Sequence, residues 1–421
     1  MGIKSLNNLL KRFEHIHEEI HLSEYAYKKV AIDTSLFVYK YKFTQGEQWM
    51  NSFVHLVSRL RKNEIHCVFI FDSPAPDDKK IEQQKRRENR EKDKQMVFKL
   101  EDALNTFNCT GEILQPLIDL DEKLKKKGTS QRLLKVGINI HAIQAYVEKI
   151  KSRTIDIEPR DFELAKELFK YLGVPYFMAP VEAETMASDL CKRGIVDAVL
   201  TEDTDVLAYG APVFLSKINT STDTCVRVVH SELLEELQLS YDQFLDLCIM
   251  CGTDYNRNID KIGVIKAYEI IRDHKSIEGF ENHINTLKNK GMKMKKFEEN
   301  ALDKIGVLNH TRVRELFKDY TKSNISVKYC ERPNWERLSV FLATHNCNIN
   351  VNTIRSCFAP PTIVFVDDTV EDEIEVVTDD DTVEDEIEVV TIDDTVEEIE
   401  VVTIDDTVED EIEVVTDDDT V

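Results

Sequence analysis

The 421-residue sequence lacks several features that define common protein classes. It has no apolar run near the ~20 residues that span a membrane, no secretory signal at its start, and nine cysteines without paired spacing. Its single Cys-x-x-Cys, Cys248 to Cys251, has no second pair nearby, as a structural zinc site requires. We therefore expect a soluble protein of a reducing compartment, the nucleus or the cytoplasm, with no membrane contact.

Basic residues are missing from the end of the chain. From Thr362 to Val421 there are 27 Asp or Glu and no Lys or Arg. Subtracting these from the totals leaves 52 acids and 54 bases for residues 1–361, a net charge of +2. The formal charge of −25 therefore belongs to the tail. Locally basic segments of the body remain candidates for binding a polyanion.

The tail is a repeat of the unit TVEDEIEVVTDDD, which begins at Thr369, Thr382, Thr395 and Thr407 and restarts at Thr420. Acidic low-complexity sequence buries too little apolar surface to fold alone, so we predict that residues 362–421 are disordered. A solubilising tail is the simplest interpretation. Alternatively, Ile374–Val377 and its copies, which resemble a SUMO-interacting motif, add a strand to the sheet of a protein partner.

The body alternates strand-like and helix-like segments. Short apolar runs that end in Asp, "KKVAIDTS" (Lys28 to Ser35) and "HCVFIFDS" (His66 to Ser73), are typical of strands buried on both faces. The alternation predicts an α/β fold, with a Rossmann-like, mostly parallel sheet flanked by helices. Residues 77–160 turn to charged helical sequence and predict a helical insertion. Residues 241–358 are predicted to be mainly helical.

Six acidic residues stand where predicted strands end or a helix begins: Asp33, Asp72, Glu182, Glu184, Asp203 and Asp205. A seventh, Asp254, lies in "CGTDYNRNIDKIG". In open α/β sheets, functional groups gather beyond the carboxyl ends of the strands. Converging carboxylates would repel one another without cations, and oxygen ligands are what Mg²⁺ prefers. Any single Asp is more simply a cap or turn residue. The whole set predicts a two-metal site for in-line displacement at a phosphodiester. Glu202 is excluded, since its side chain should point away.

At these residues the sequence resembles the flap endonuclease/XPG family of structure-specific 5′ nucleases, over about residues 1–358. The resemblance rests on "MGIKSLNNLL", "VAIDTSLFVYKY", "VFIFDSPAPDDK", "LGVPYFMAPVEAETMASDL", "VDAVLTEDTDVLAYG" and "LCIMCGTDYNRNIDKIGVIKAYEII". It implies a PIN-like fold with an N-terminal nuclease region (1–100), a helical arch (77–160), an internal nuclease region (161–240) and a helix–three-turn–helix DNA-binding region (241–358). It also implies that the seven acids hold two Mg²⁺ ions, directly or through water, with Mn²⁺ as a substitute.

The charged insertion carries basic groups on one side. Lys79, Arg86 and Arg90 are spaced i, i+7 and i+11, which places them on one stripe of a helix. A solvated face is the ordinary interpretation of such a charge run. Alternatively, the stripe presents three cations to a phosphate, which makes Arg90 a DNA-binding residue. The resemblance implies that Lys79 and Arg86 reach the scissile phosphate as catalytic groups. It further implies that Tyr39 stacks on a base near the cut and that Gly2 approaches the DNA backbone.

A hairpin in the C-terminal region is expected to grip duplex DNA. Backbone N–H groups at Gly263 and at the helix start that follows would meet a phosphate, and Lys266 would add a contact. The resemblance implies a K⁺ ion at this hairpin. However, Lys261 and Val264 replace a Gly and a Pro of the family pattern, which weakens that expectation. The helical insertion is also longer than is usual in flap endonucleases, and no sliding-clamp peptide follows residue 358.

The predicted function is a monomeric, Mg²⁺-dependent 5′ flap endonuclease that cuts branched DNA in replication, repair or recombination. A 5′–3′ exonuclease or a junction resolvase of the same superfamily stays open, because the shared motifs do not separate these activities. A non-catalytic DNA-binding scaffold with a recruiting tail is the alternative class, but it would be expected to have lost one of the seven acids. The divergence of the sequence from the family pattern and the repeat tail suit a gene of a large DNA virus. The protein would then be located at the viral replication site.

Overall fold

The computed structural model describes residues 2–73, 79–126 and 138–358, together with three short strands of the tail. The chain divides into two units, residues 1–349 and residues 350–421. The first unit is built on a seven-stranded sheet with the order β1-β7-β6-β5-β2-β3-β4. Its strands are β1 Glu18–His21, β2 Lys29–Asp33, β3 His66–Phe71, β4 Tyr176–Met178, β5 Ala198–Leu200, β6 Val213–Asn219 and β7 Thr224–Val229.

The centre of the sheet is parallel. Neighbouring strands from β6 through β5, β2 and β3 to β4 all pair in parallel. Strands β2, β3 and β5 are buried almost throughout, which explains their continuous apolar sequence. The predicted mostly parallel α/β sheet is confirmed. Strands β1, β6 and β7 were not predicted, and they form an antiparallel extension at one edge.

Helices surround the sheet and continue the chain beyond it. The helices of the first unit are α1 Leu6–Leu10, α2 Thr34–Gln45, α3 Trp49–Lys62, α4 Lys80–Thr110, α5 Gln115–Lys126, α6 Ile140–Arg153, α7 Pro159–Tyr171, α8 Ala183–Lys192, α9 Asp205–Ala208, α10 His230–Leu237, α11 Tyr241–Cys251, α12 Val264–His274, α13 Ile277–Asn289, α14 Lys296–Lys304, α15 His310–Lys318 and α16 Trp335–Thr344. No helix within the described ranges is long and apolar enough to cross a membrane. All nine cysteines are free.

The predicted insertion contains three long helices, α4, α5 and α6, in its described part; residues 127–137 lie outside that part. These helices pack around their own apolar cluster, which is separate from the core under the sheet. Its buried members are Val97, Leu100, Ala103, Leu104, Leu117, Leu120, Ile143, Val147 and Ile150. Because this cluster holds the helices together, the 31-residue α4 can carry its charged N-terminal half beyond the packed region.

Residues 241–344 form the predicted mainly helical region. A partly buried ion-pair network connects three of its helices: Arg314 of α15 binds Asp246 of α11 at 2.6 Å and also binds Glu278 of α13. Asp246 additionally accepts the backbone N–H of Ile277 at 3.1 Å. This network fixes α11, whose C-terminal end leads directly into the loop that contains Asp254.

The second unit contains α17 Val351–Arg355 and the strands β8 Thr362–Phe365, β9 Ile387–Thr391 and β10 Glu400–Ile404. Strand β9 pairs with β8 in parallel and with β10 in antiparallel orientation. Outside these three strands the tail is not among the described residues, so the disorder of residues 362–421 stays a prediction. Each repeat contains β-branched Ile, Val and Thr, which favour strands, so two copies can pair.

Candidate active site at the carboxyl edge of the sheet

The predicted acids lie at one edge of the sheet. Asp33 is the last residue of β2 and pairs in register with Ile70 of β3, so Asp72 follows two residues beyond that level. Glu182 precedes α8 and Glu184 lies in its first turn, while Asp205 begins α9 just after β5. The remaining two, Asp203 and Asp254, come from the loop after β5 and from the loop after α11. The parallel topology thus brings separate chain segments to one place.

Local hydrogen bonds fix several of these carboxylates. Asp33 caps α2 by accepting the N–H of Leu36 at 3.2 Å, and Thr201 donates its hydroxyl to the other oxygen at 3.3 Å. Asp72 accepts the N–H of Ala183 at 2.7 Å, which ties the end of β3 to the start of α8. Asp33 and Asp72 therefore also serve as a helix cap and a loop anchor, the roles that the simpler interpretation predicted for a single Asp.

The carboxylates interact electrostatically as a group. Burial raises the pKa of Asp33 well above its ordinary value, and the charge of Asp72 adds to this shift. Burial also raises the pKa of Glu184, Asp203 and Asp205, each of which is near other acids of the cluster. Desolvation and like charge both disfavour an ionised carboxylate. The arrangement is consequently unfavourable for the anions alone and requires positive charge nearby.

Asp205 is the most informative member of the cluster. Its side chain is 0% exposed, and within the described part of the chain neither carboxylate oxygen has a hydrogen-bond partner. A buried carboxylate normally binds hydrogen-bond donors or a cation. Together with its neighbours it provides an all-oxygen donor set, which suits a hard divalent ion such as Mg²⁺. The residues present therefore fit a divalent metal.

Lys79 supplies positive charge inside the cluster. It precedes α4, is 6% exposed, and places its Nζ 2.7 Å from Glu182, 3.2 Å from Glu184 and 3.5 Å from Asp254. Burial lowers the pKa of Lys79, but the surrounding acids, led by Glu184, outweigh this and raise it above its usual value. Among the described residues, no three acids form a ligand group around one point. The ammonium group lies between them instead.

Two basic residues of α4 also face this edge. Arg86 binds Asp254 through Nη2, at 2.5 Å from Oδ1. One turn further on, the Arg90 guanidinium lies 5.8 Å from the ring centre of Tyr39, in a cation–π contact. The three predicted basic residues therefore share one stripe that extends from the acids to Tyr39. Tyr39 is half-buried, so part of its ring remains available to a ligand.

Gly2 and Glu202 flank the cluster in different ways. Gly2 has φ +83°, and a Cβ added there would lie 2.1 Å from Oδ1 of Asp203. The N-terminal segment thus passes against the acids, and only glycine fits at this position. Glu202 forms an ion pair with Lys40 of α2 and makes none of the contacts that join the other acids. Its exclusion from the predicted ligands agrees with this geometry.

The predicted C-terminal hairpin leads into α12. Gly263 is the N-cap of α12, and Lys266 in the first turn pairs with Glu269 of the same helix. Lys261, where the family pattern has glycine, adopts φ +68°. A side chain in this left-handed region costs about 1–2 kcal/mol, a cost that glycine does not have. The turn therefore keeps a glycine-type conformation although Lys261 occupies the position, and the backbone at Lys261 is strained.

Replacing Lys261 with Gly should increase the free energy of unfolding by about 0.5–1 kcal/mol, because the strain at φ +68° is removed. The denaturant midpoint of the purified protein measures this. Lys290→Gly is the matched control, since Lys290 has φ −86° and its replacement should destabilise the protein. An equal loss of stability in both variants would contradict the assignment of strain to Lys261.

Sequence reasoning missed the polar groups behind the acids. Tyr255 donates its hydroxyl to Oε2 of Glu182 at 2.8 Å, and the Tyr209 hydroxyl lies 2.7 Å from that of Tyr255. Thr201, which binds Asp33, was also missed. Tyr255 and Thr201 lie within two residues of predicted ligands, so inspection of the flanking residues would have found them. No pattern in the sequence connects Tyr209 to residues 46 positions later.

The fold and the site define a class of protein, an α/β nuclease with a carboxylate cluster at the carboxyl edge of its sheet. The XPG N-terminal domain matches residues 1–93, and the XPG I-region matches residues 173–254. The probable RAD2-like endonuclease 369L of Invertebrate iridescent virus 6 is 30% identical over 392 residues, 85% of this chain and 92% of the relative. The flap endonuclease 1-A of Sorghum bicolor is 32% identical over 303 residues, 68% of this chain and 70% of the relative.

A solved structure of the catalytic core of Rad2 in complex with DNA substrate has the same fold, with a TM-score of 0.59 and 16% identity over 85% of this chain and 100% of that core. The chain belongs to the XPG family of RAD2-like and flap endonucleases. It is a structure-specific nuclease, a hydrolase that acts on phosphodiester bonds. Nucleases of this family generally depend on a divalent metal.

Proposed function

We propose that the protein is a 5′ flap endonuclease that cuts branched DNA near the junction of single and double strands, with two Mg²⁺ ions bound by the seven acids. The observation that carries the proposal is the buried Asp205, whose two oxygens have no partner among the described residues although Asp203, Asp254 and Glu182 lie near enough to repel its charge. The chemistry that Mg²⁺ supplies at such a site is a more acidic water and neutralisation of charge on the phosphate. Mn²⁺, which also prefers oxygen ligands, is expected to replace it.

The residues of the chain would orient the DNA around this chemistry. Lys79 and Arg86 both contact Asp254 and stand beside the acids, where they can bind the oxygens of a scissile phosphate. Charge-assisted hydrogen bonds of this kind stabilise a transition state that develops negative charge. Tyr39 and Arg90 extend the same surface away from the acids and would stack on an unpaired base next to the cut.

The remaining contacts are proposed to select the shape of the DNA. Gly263 is the N-cap of α12 and has no side-chain cap hydrogen bond, and the first N–H groups of a helix have no intrahelical partner. Such a helix start suits a duplex phosphate, and Lys266 lies in the same first turn. We assign no K⁺ ion to this turn, because Lys261 stands in its strained position. The helices α4, α5 and α6 would serve as the arch that admits a single-stranded 5′ end. All these contacts address the sugar–phosphate backbone or a stacked base, so the enzyme should recognise a junction and not a sequence.

Cleavage of end-labelled substrates tests the proposal. With Mg²⁺, the full chain should cut a 5′ flap near its junction, faster than nicked, gapped or four-way DNA, and leave 5′-phosphate and 3′-hydroxyl ends. Faster cutting of the four-way substrate would favour a resolvase, and stepwise degradation from a nick or gap would favour a 5′–3′ exonuclease. If none of the substrates is cut, the nuclease proposal fails and the scaffold alternative gains support.

The acidic tail is proposed to act separately from cleavage. Its repeats carry β-branched segments flanked by acids, a pattern that suits strand addition to a protein partner of the SUMO type. A chain ending at Pro361 should therefore cut the flap substrate at the same rate as the full chain and lose binding to immobilised SUMO. Equal SUMO binding by both chains would eliminate the strand-addition hypothesis.

A further inference from the structure

A chain of two tyrosine hydroxyls ends on one of the proposed metal ligands. Tyr255 lies 2.8 Å from Oε2 of Glu182, and Tyr209 lies 2.7 Å from Tyr255, hydroxyl to hydroxyl. The other oxygen of the same carboxylate, Oε1, faces Lys79 at 2.7 Å. Both oxygens of Glu182 are thus held by specific partners, one inside the acid cluster and one behind it.

The direction of these hydrogen bonds follows from counting protons. A tyrosine hydroxyl has a single proton to donate. Because Tyr255 donates its proton to Glu182, the hydroxyl of Tyr209 must donate to the oxygen of Tyr255. The order is therefore Tyr209 to Tyr255 to Glu182, and Tyr209 influences the carboxylate only through Tyr255.

The two rings are held by apolar packing. The ring of Phe317 in α15 lies 4.7 Å from that of Tyr209 and 5.4 Å from that of Tyr255, between ring centres. Tyr209 is 1% exposed, and Lys192 of α8 donates to its backbone carbonyl at 2.9 Å. Tyr209 follows α9 and Tyr255 follows Asp254, so the hydroxyl chain connects three separate segments that carry acids of the cluster.

We propose that Tyr255, supported by Tyr209, is a positioning residue that holds the Glu182 carboxylate in the orientation in which it binds a divalent metal. This rests on the proposed function, which makes Glu182 a ligand. Partners that orient a metal ligand from behind commonly change metal affinity by about 10–100-fold when they are removed. Here the effect should be graded, since Tyr255 touches the ligand and Tyr209 does not.

The test is a titration of the full chain with Mn²⁺ in the absence of DNA, followed by the electron spin resonance of free Mn²⁺. Tyr255→Phe should weaken Mn²⁺ binding about 10-fold, and Tyr209→Phe should weaken it less. The double variant should bind no more weakly than Tyr255→Phe alone, because the two hydroxyls act in series. Flap cleavage by Tyr255→Phe should need more Mg²⁺ for half-maximal rate and recover at high Mg²⁺.

Tyr241→Phe is the matched control for the loss of a partly buried tyrosine hydroxyl. Tyr241 donates to the backbone carbonyl of Ala208 at 2.8 Å and touches none of the acids. Its replacement should leave Mn²⁺ affinity within about two-fold of that of the unmodified protein, far below the change expected from an orienting partner. Melting temperatures of all variants without metal show whether each one folds.

Three outcomes would overturn the proposal. They are unchanged Mn²⁺ affinity in Tyr255→Phe, an equal loss in Tyr241→Phe, and additive losses in the double variant. The failure of the proposed function gives a different result: the unmodified chain would then bind no Mn²⁺ or cut no flap. Normal binding and cleavage by the unmodified chain, with unchanged affinity in a folded Tyr255→Phe variant, would reject the tyrosine chain alone.

Discussion

Replacing Asp205 with Asn should slow flap cleavage by about 10²–10³-fold, the size of effect seen when one preorganised electrostatic group is removed from an active site. The same change should raise the stability of the metal-free protein, because it removes a buried charge that Asp203, Asp254 and Glu182 repel. Asp205 is fully buried, and its oxygens have no partner among the described residues. If Asp205 is kept for its charge in cleavage, its replacement should slow cleavage and at the same time stabilise the metal-free fold.

Single-turnover cleavage and chemical denaturation, each with and without Mg²⁺, measure the two effects. Mg²⁺ should stabilise the unmodified protein and should stabilise Asp205→Asn less, because one ligand has lost its charge. Glu202→Gln is the control: Glu202 lies three residues away but pairs with Lys40. Its cleavage rate should stay close to that of the unmodified protein. A destabilised Asp205→Asn variant that still cleaves normally would contradict the assignment.

The parallel sheet could be predicted because its strands have simple sequences. Strands β2, β3 and β5 are buried on both faces, so each is an uninterrupted apolar run that ends next to an acid. The hairpin of β6 and β7 was not predicted, because Arg227 and Lys217 interrupt its apolar pattern. These charges are tolerated at the edge, where Arg227 pairs with Glu18 of β1 at 2.6 Å.

The acids of the site could be predicted because strand ends meet at one edge of a parallel sheet. The groups between the acids could not be found in this way. The Nζ of Lys79 lies at the end of a flexible side chain, and its position among Glu182, Glu184 and Asp254 depends on how α4 packs. The contact between Tyr209 and Tyr255 likewise joins two loops that are distant in the sequence, and no helical or strand periodicity relates the two residues. Such contacts are set by tertiary packing and not by local pattern.

Lys79→Met should have the opposite effect on stability from Asp205→Asn and a similar effect on cleavage. The Nζ of Lys79 lies within 3.5 Å of Glu182, Glu184 and Asp254, and the substitution removes this shared cation. Breaking a buried ion pair in this way typically costs about 3–5 kcal/mol, and Met preserves most of the side-chain volume. Cleavage should fall by about 10²–10³-fold, because the phosphate also loses a cationic partner.

Mg²⁺ distinguishes the structural role of Lys79 from its role in cleavage. Divalent ions can replace the lost charge, so Mg²⁺ should stabilise Lys79→Met more than it stabilises the unmodified protein. Cleavage should nevertheless stay slow at saturating Mg²⁺, since a metal among the acids does not restore the lost contact with the phosphate. Lys166→Met is the matched control, because Lys166 pairs with Glu163 of its own helix at 2.8 Å. If saturating Mg²⁺ restored full cleavage to Lys79→Met, Lys79 would only balance the charge of the acids. The proposal that it contacts the DNA would then be wrong.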